Sequence, residues 1–121
     1  MLAPGPALRP FLNAAHSGYL TETFDDNAFY TVGSQAGTIT SSVGVGSFTS
    51  AVPGSGGLCD SGPYNCNDGL AVLNAGASPF SGRYAVSGSN WLDSMDARQM
   101  VISPAAGFNA MGFYMTDPND A

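Results

Sequence analysis

Turn-forming residues interrupt this chain about every ten positions, and that spacing limits what it can fold into. Between the interruptions lie short segments rich in Val, Ile, Thr, Phe and Tyr, the composition typical of β-strands. These segments are GYLTETF (18–24), two or three strands within 28–52, LAVLNA (70–75), GRYAVSG (82–88), QMVISPA (99–105) and FNAMGFYMTD (108–117). In the last of them, Met111, Phe113 and Met115 share one face of the predicted strand.

Helical periodicity is weak throughout. The best candidate, SNWLDSMDARQMVI (89–102), has no clean 3.6-residue stripe and predicts at most one helical turn around Asp93 to Arg98. We therefore predict an all-β fold, an antiparallel β-sandwich of jelly-roll type. We expect residues 18–121 to form its single domain and residues 1–17 to be a leader or flexible arm. Three prolines interrupt the first residues, which therefore lack the continuous apolar run of an intact signal peptide.

The charge of the chain limits the classes of partner that it can bind. It contains no lysine, and three arginines stand against nine acidic residues, for a net charge of −6. Such a surface repels nucleic acid and anionic membranes, and no apolar run is long enough to span a bilayer. Charged residues make up only 10% of the chain, so hydroxyl groups supply much of the polar surface. This composition favours an extracellular or cell-surface protein that meets divalent cations and neutral partners.

Two cysteines lie seven positions apart in LCDSGPYNCNDG (58–69). A pair this close around Gly62 and Pro63 predicts a local disulfide between Cys59 and Cys66. A zinc site is the competing interpretation, but it needs four ligands and His16 is the only histidine. Two free thiols in a reducing compartment are the remaining alternative.

Calcium requires six to eight oxygen ligands, and two acidic regions could supply them. One is the cysteine loop, with Asp60, Asn65, Asn67 and Asp68, although these residue types also build ordinary turns and do not match the EF-hand pattern. The other combines TETFDDN with TDPNDA, because the first and last strands of a sandwich often lie side by side. Solvated turns at strand ends are the alternative there.

Catalysis finds little support in the sequence. Glu22 with Asp25, or Asp93 with Asp96, forms a carboxylate pair, but such pairs are common on any surface. No nucleophile, metalloprotease or phosphate-loop motif occurs. The aromatic residues Trp91, Tyr84 and Tyr64 could form a platform that stacks on a sugar face, although a lone tryptophan in a small sandwich is more often a core residue. We expect a protein that is not an enzyme.

Three segments resemble a known family: LTETFDDNAFYTVGSQAGTIT, SPFSGRYAVSGSNWLDS and AGFNAMGFYMTDPNDA. They are similar to secreted bacterial β-sandwich proteins that carry a PEP-type C-terminal sorting anchor (PEP-CTERM proteins), whose domains resemble jelly-roll carbohydrate-binding modules. The related modules often hold a structural calcium near their first strand. By this resemblance, the calcium ligands are Glu22, Asp25, Asp117 and Asp120.

The chain departs from that family at its end. It stops at Ala121, where such domains continue through further strands and then the anchor. The sandwich is therefore expected to be a fragment, or to be completed by another copy. The expected function is a non-catalytic secreted or cell-surface module that binds glycan or extracellular matrix. The alternative is a structural subunit that self-assembles through its sheet edges into a dimer or filament, and a calcium-dependent hydrolase fragment ranks last.

Overall fold

A computed structural model describes residues 19–54, 63–65, 69–79 and 82–116. The described chain is all-β, as predicted, and contains no helix within those ranges. Its six strands are β1 (Gln35–Ala36), β2 (Thr38–Thr40), β3 (Gly46–Val52), β4 (Leu70–Asn74), β5 (Asn90–Asp93) and β6 (Gln99–Pro104).

The strands form two antiparallel sheets of three strands each. The first sheet has the order β1-β4-β5 and the second sheet has the order β2-β3-β6. Only Gly37 separates β1 from β2, so the chain passes from one sheet to the other at a corner, where the Ser50 amide donates to the Gly37 carbonyl at 2.9 Å. Two sheets arranged in this way are consistent with an incomplete β-sandwich, which confirms the predicted fold class.

The core lies around β4, the central strand of the first sheet. Residues 70–73 are at most 2% exposed, so this strand is buried on both faces and its sequence is continuously apolar rather than alternating. On one face, Ala71 and Leu73 pack with Tyr64 and Met95, and Trp91 covers the cluster. The strong apolar run in LAVLNA therefore marks the strand that the rest of the domain covers.

The second sheet is covered less completely. Ile39, Phe48 and Ile102 lie opposite one another on adjacent strands and share one face, yet all three are only partly buried. Met100 on the same face of β6 is 38% exposed, and none of the residues of β2, β3 and β6 is fully buried. Within the described chain, too few side chains pack against this apolar face to form a closed core.

Several local predictions were wrong. The described parts of the segments 18–24, 82–88 and 108–117 are not strands, although each has a β-prone composition. The predicted helical turn at Asp93 to Arg98 is instead the last residue of β5 followed by a tight turn, in which the Ala97 amide donates to the Ser94 carbonyl at 3.0 Å. Trp91 and Leu92 belong to β5 because they lie opposite Leu73 and Val72 of the buried strand.

Candidate functional site

The carboxylate of Glu22 is the most heavily hydrogen-bonded side chain of the described chain. Its Oε2 atom accepts from the hydroxyls of Tyr30 and Ser41, both at 2.7 Å, and from the Ser42 amide at 2.8 Å. Its Oε1 atom accepts from the Phe24 amide at 2.7 Å. Tyr30 and Ser41 are buried, so these donors are matched to a carboxylate that stays ionised.

The hydrogen bonds set the protonation of this cluster. Burial pushes the pKa of Glu22 upward, but the bonds from Ser41, Tyr30 and the amides of Phe24 and Ser42 outweigh it, and the pKa lies below its usual value of 4.5. Burial, followed by the hydrogen bond to Glu22, raises the pKa of Tyr30 to about 12. The pair therefore holds a carboxylate and a neutral phenol at neutral pH.

Asp25 forms a second contact of the same kind with the other sheet. Its Oδ1 atom accepts from the amides of Ser89 and Asn90, at 2.8 and 2.9 Å, at the start of β5. Burial acts to raise the pKa of Asp25, but these amides and a bond from Thr23 lower it overall. The Asn90 side-chain amide completes the contact by donating to the Phe24 carbonyl at 2.7 Å and to Asn27 at 2.9 Å.

Residues 22–30, which we call the clasp, therefore connect the two sheets. Glu22 binds the turn that follows β2 in the second sheet, and Asp25 binds the start of β5 in the first sheet. Between them, Phe24 has a φ of +62° and packs its ring 5.4 Å from that of Phe48. Such a backbone conformation persists only where the surroundings enforce it. The acidic residues of TETFDDN thus serve as acceptors for the protein's own donors.

The predicted calcium ligands are only partly placed. Glu22 and Asp25 have separate sets of donors, and Asp117 and Asp120 lie outside the described residues. Across the ranges that the structure covers, no group of three or more His, Cys, Asp or Glu side chains could hold a metal ion. Calcium at this site remains a prediction.

The cysteine loop lies mostly outside the described residues, including Cys59, Cys66, Asp60, Asn67 and Asp68. Asn65 is described, and its backbone hydrogen-bonds to the side chain of Gln35. The Asn65 amide donates to Gln35 Oε1 at 2.9 Å, and Gln35 Nε2 donates to the Asn65 carbonyl at 2.8 Å. The predicted disulfide and the second calcium loop remain predictions.

The three aromatic residues of the predicted sugar platform have different environments. Tyr64 is 5% exposed and donates its hydroxyl to the Ala77 carbonyl at 2.9 Å, so it is a core residue. Trp91 covers the core and donates its indole N–H to Asp93, which also forms a buried ion pair with Arg83 at 2.9 Å. Tyr84 is 42% exposed. A platform would therefore have to use Trp91 and Tyr84 without Tyr64.

An exposed apolar surface runs along β6 and the segment that follows it. The sequence placed Met111, Phe113 and Met115 on one face of a strand but did not predict that β6 would lie at the edge of a sheet. Strand β6 pairs with β3 on one side, and no strand lies on its other side in the described part of the chain. Exposed large apolar side chains continue from β6 into the following segment, and they are Met100, Val101, Phe108, Met111, Phe113 and Met115. The absence of any charged residue from 99 to 116 is the sequence signal that could have revealed it.

No family model, curated protein or solved structure matches this chain. The resemblance to PEP-CTERM β-sandwich proteins therefore rests on the three sequence segments alone and remains a prediction. Among the described residues, no helix has the length and apolar character needed to cross a membrane.

Proposed function

We propose that this protein is a non-catalytic, extracellular structural subunit that self-assembles through the edge of its second sheet. The observation that carries the proposal is the outer edge of β6, beside which no strand of the described residues lies. A strand edge presents a row of backbone donors and acceptors that can pair with another chain. In β6 this row is six residues long, which makes it the longest sheet edge of the described chain.

Strand β6 lacks the features by which proteins usually block an edge. Soluble proteins protect edges with inward-pointing charges, lysines, prolines or bulges that twist the strand away. Here no residue from 99 to 104 is charged, and the only proline is Pro104, at the end of the strand. The bulge of the second sheet lies between Ser50 and Val52, opposite the start of β6, so the stretch from Met100 to Ser103 stays regular.

Adding a strand at this edge would also cover apolar surface. Ile102 and Met100 point to the same face as Phe48, and that face is only partly covered by the protein's own chain. A new strand beside β6 would therefore bury side chains as well as satisfy backbone groups. The burial of apolar side chains and the new backbone hydrogen bonds both favour association by strand addition to an exposed sheet edge.

Glycan binding is the second candidate, and the opposite face of the same sheet favours it. That face carries short uncharged side chains in register, with Thr38 opposite Thr49 and Thr40 opposite Ser47, and the Thr38 and Thr49 hydroxyls lie 3.0 Å apart. An array of hydroxyls without charge suits a neutral polymer better than an ionic one. In a net-negative, lysine-free protein, this face is compatible with an extracellular setting.

Light scattering during size-exclusion chromatography tests the proposal on the wild type and two matched variants. Met100→Lys places a charge on the apolar face of β6, and Val101→Lys places the same charge on the opposite face at nearly equal exposure, 38% against 39%. We expect an oligomeric wild type, a monomeric Met100→Lys variant and an oligomeric Val101→Lys variant. A wild type that stays monomeric at every concentration would overturn the proposal, and retention of that monomer on insoluble polysaccharide would favour glycan binding.

A further inference from the structure

We propose that the strand added to β6 is segment 108–116 of a second copy of this chain. This inference rests on the proposed self-assembly and names the two surfaces that meet. The acceptor is the free edge of β6, and the donor is the apolar segment that follows it in sequence. Each copy carries both surfaces, so copies can exchange segments reciprocally or join head to tail.

The donor segment has the pattern of a strand, and none of the six strands of the described chain pairs with it. Met111, Phe113 and Met115 alternate with smaller or more polar residues, which is the period of a strand with one buried face. Their exposed fractions are 54%, 60% and 52%. Segment 108–116 pairs with no strand among the described residues, although its composition favours one.

The turn between β6 and this segment explains why the two do not form a hairpin. The Phe108 amide faces the Ala105 carbonyl at 3.4 Å, and Gly107 has a φ of +93° while Ala106 keeps a negative φ. A positive φ at the third position alone is the pattern of a type II turn. Type II turns splay the strands they join, whereas two-residue hairpin loops favour the opposite twist of types I′ and II′. This turn therefore does not favour a hairpin between β6 and the segment that follows it.

The donor and the acceptor each have one apolar face, and both are uncharged. On β6, Met100 and Ile102 occupy the apolar face and Val101 and Ser103 the outer face. The donor has an apolar face with the three residues above, and its other face begins with the small residues Ala110 and Gly112. Neither stretch contains a charged residue. In a chain with a net charge of −6, these are surfaces on which two copies can meet without repulsion.

The test uses one donor variant, one acceptor variant and their mixture. Phe113→Lys charges the apolar face of the donor, and its control, Gly112→Lys, adds the same charge to the other face, where a Cβ meets nothing within 4 Å. Met100→Lys blocks the acceptor. We expect Phe113→Lys and Met100→Lys to be monomeric by light scattering and Gly112→Lys to assemble as the wild type does. An equimolar mixture of the two monomeric variants should form a 1:1 complex, because each retains the surface that the other lacks.

Different outcomes separate this inference from the proposed function. If Met100→Lys is monomeric but Phe113→Lys still assembles, the β6 edges pair with each other and the donor assignment is wrong, while edge-mediated assembly stands. If both variants are monomeric but do not form a complex when mixed, the assignment is also wrong. Circular dichroism and Trp91 fluorescence of each monomer must match those of the Val101→Lys variant, so that loss of assembly is not loss of folding. A monomeric wild type would contradict the proposed self-assembly itself, and the donor assignment with it.

Discussion

Replacing Gly88 by alanine is expected to lower the free energy of unfolding by about 3–5 kcal/mol. Gly88 has a φ of +72°, a conformation that alanine rarely adopts, and an alanine Cβ would overlap the Asp25 carboxylate. That carboxylate would have to leave the amides of Ser89 and Asn90. Urea denaturation followed by Trp91 fluorescence measures the loss, which is a large part of the stability of a small domain.

Gly44→Ala is the matched control for this substitution. Gly44 has a similar φ of +81°, but a Cβ there meets nothing within 4 Å. Only the backbone cost then applies, and we expect a loss of about 1–2 kcal/mol. Equal losses for the two variants would show that the contact between Asp25 and β5 contributes little, and would contradict the role given to the clasp.

Glu22→Gln is expected to lower the free energy of unfolding at neutral pH by about 2–4 kcal/mol, although the side chain keeps its shape. The new amide group turns one pair of N–H donors toward groups that are themselves donors. In one orientation the glutamine NH₂ group faces the Phe24 amide. In the other it faces the donors that now bind Oε2, which include the hydroxyls of Tyr30 and Ser41. Asp26→Asn serves as the control, because Asp26 is exposed and accepts only from its own turn.

The same variant should change the response to acid. The pKa of Glu22 is lower in the folded protein than its usual value of 4.5. Its contribution to stability is therefore present above about pH 4.5 and is lost as the pH falls through the folded pKa. Glu22→Gln should lose less stability than the wild type between pH 7 and pH 3, and the acid response due to Asp25 should remain. An unchanged acid response would contradict the assignment of Glu22 as an ionised acceptor.

The sequence predicted well those strands whose apolar residues alone indicate a strand. LAVLNA is apolar at nearly every position and became the doubly buried strand β4, and the segment QMVISPA contains β6. The described part of GYLTETF, residues 19–24, has a similar β-prone composition but is not a strand, and Glu22 there binds backbone and hydroxyl donors about 20 positions away. Composition predicts the capacity to form a strand, whereas pairing depends on which neighbour the fold supplies.

The candidate site was harder to predict for a related reason. Acidic residues in TETFDDN indicate oxygen ligands, but the sequence does not distinguish a cation from the protein's own N–H and O–H groups as their partner. For Asp25 the partners are Ser89 and Asn90, more than 60 positions later. The edge of β6 was equally hidden, because a strand becomes an edge only through the order of strands in its sheet.

Amide hydrogen exchange across β6 tests edge-mediated assembly most directly. In an edge strand, alternate amides point away from the neighbouring strand, so in the monomeric Met100→Lys variant every second amide of residues 99–103 should exchange rapidly. In the wild-type assembly we expect those same amides to be protected, together with alternate amides of segment 108–116. Rapid exchange of the outward-facing β6 amides in an assembled wild type would contradict the account, because the copies would then be joined somewhere else.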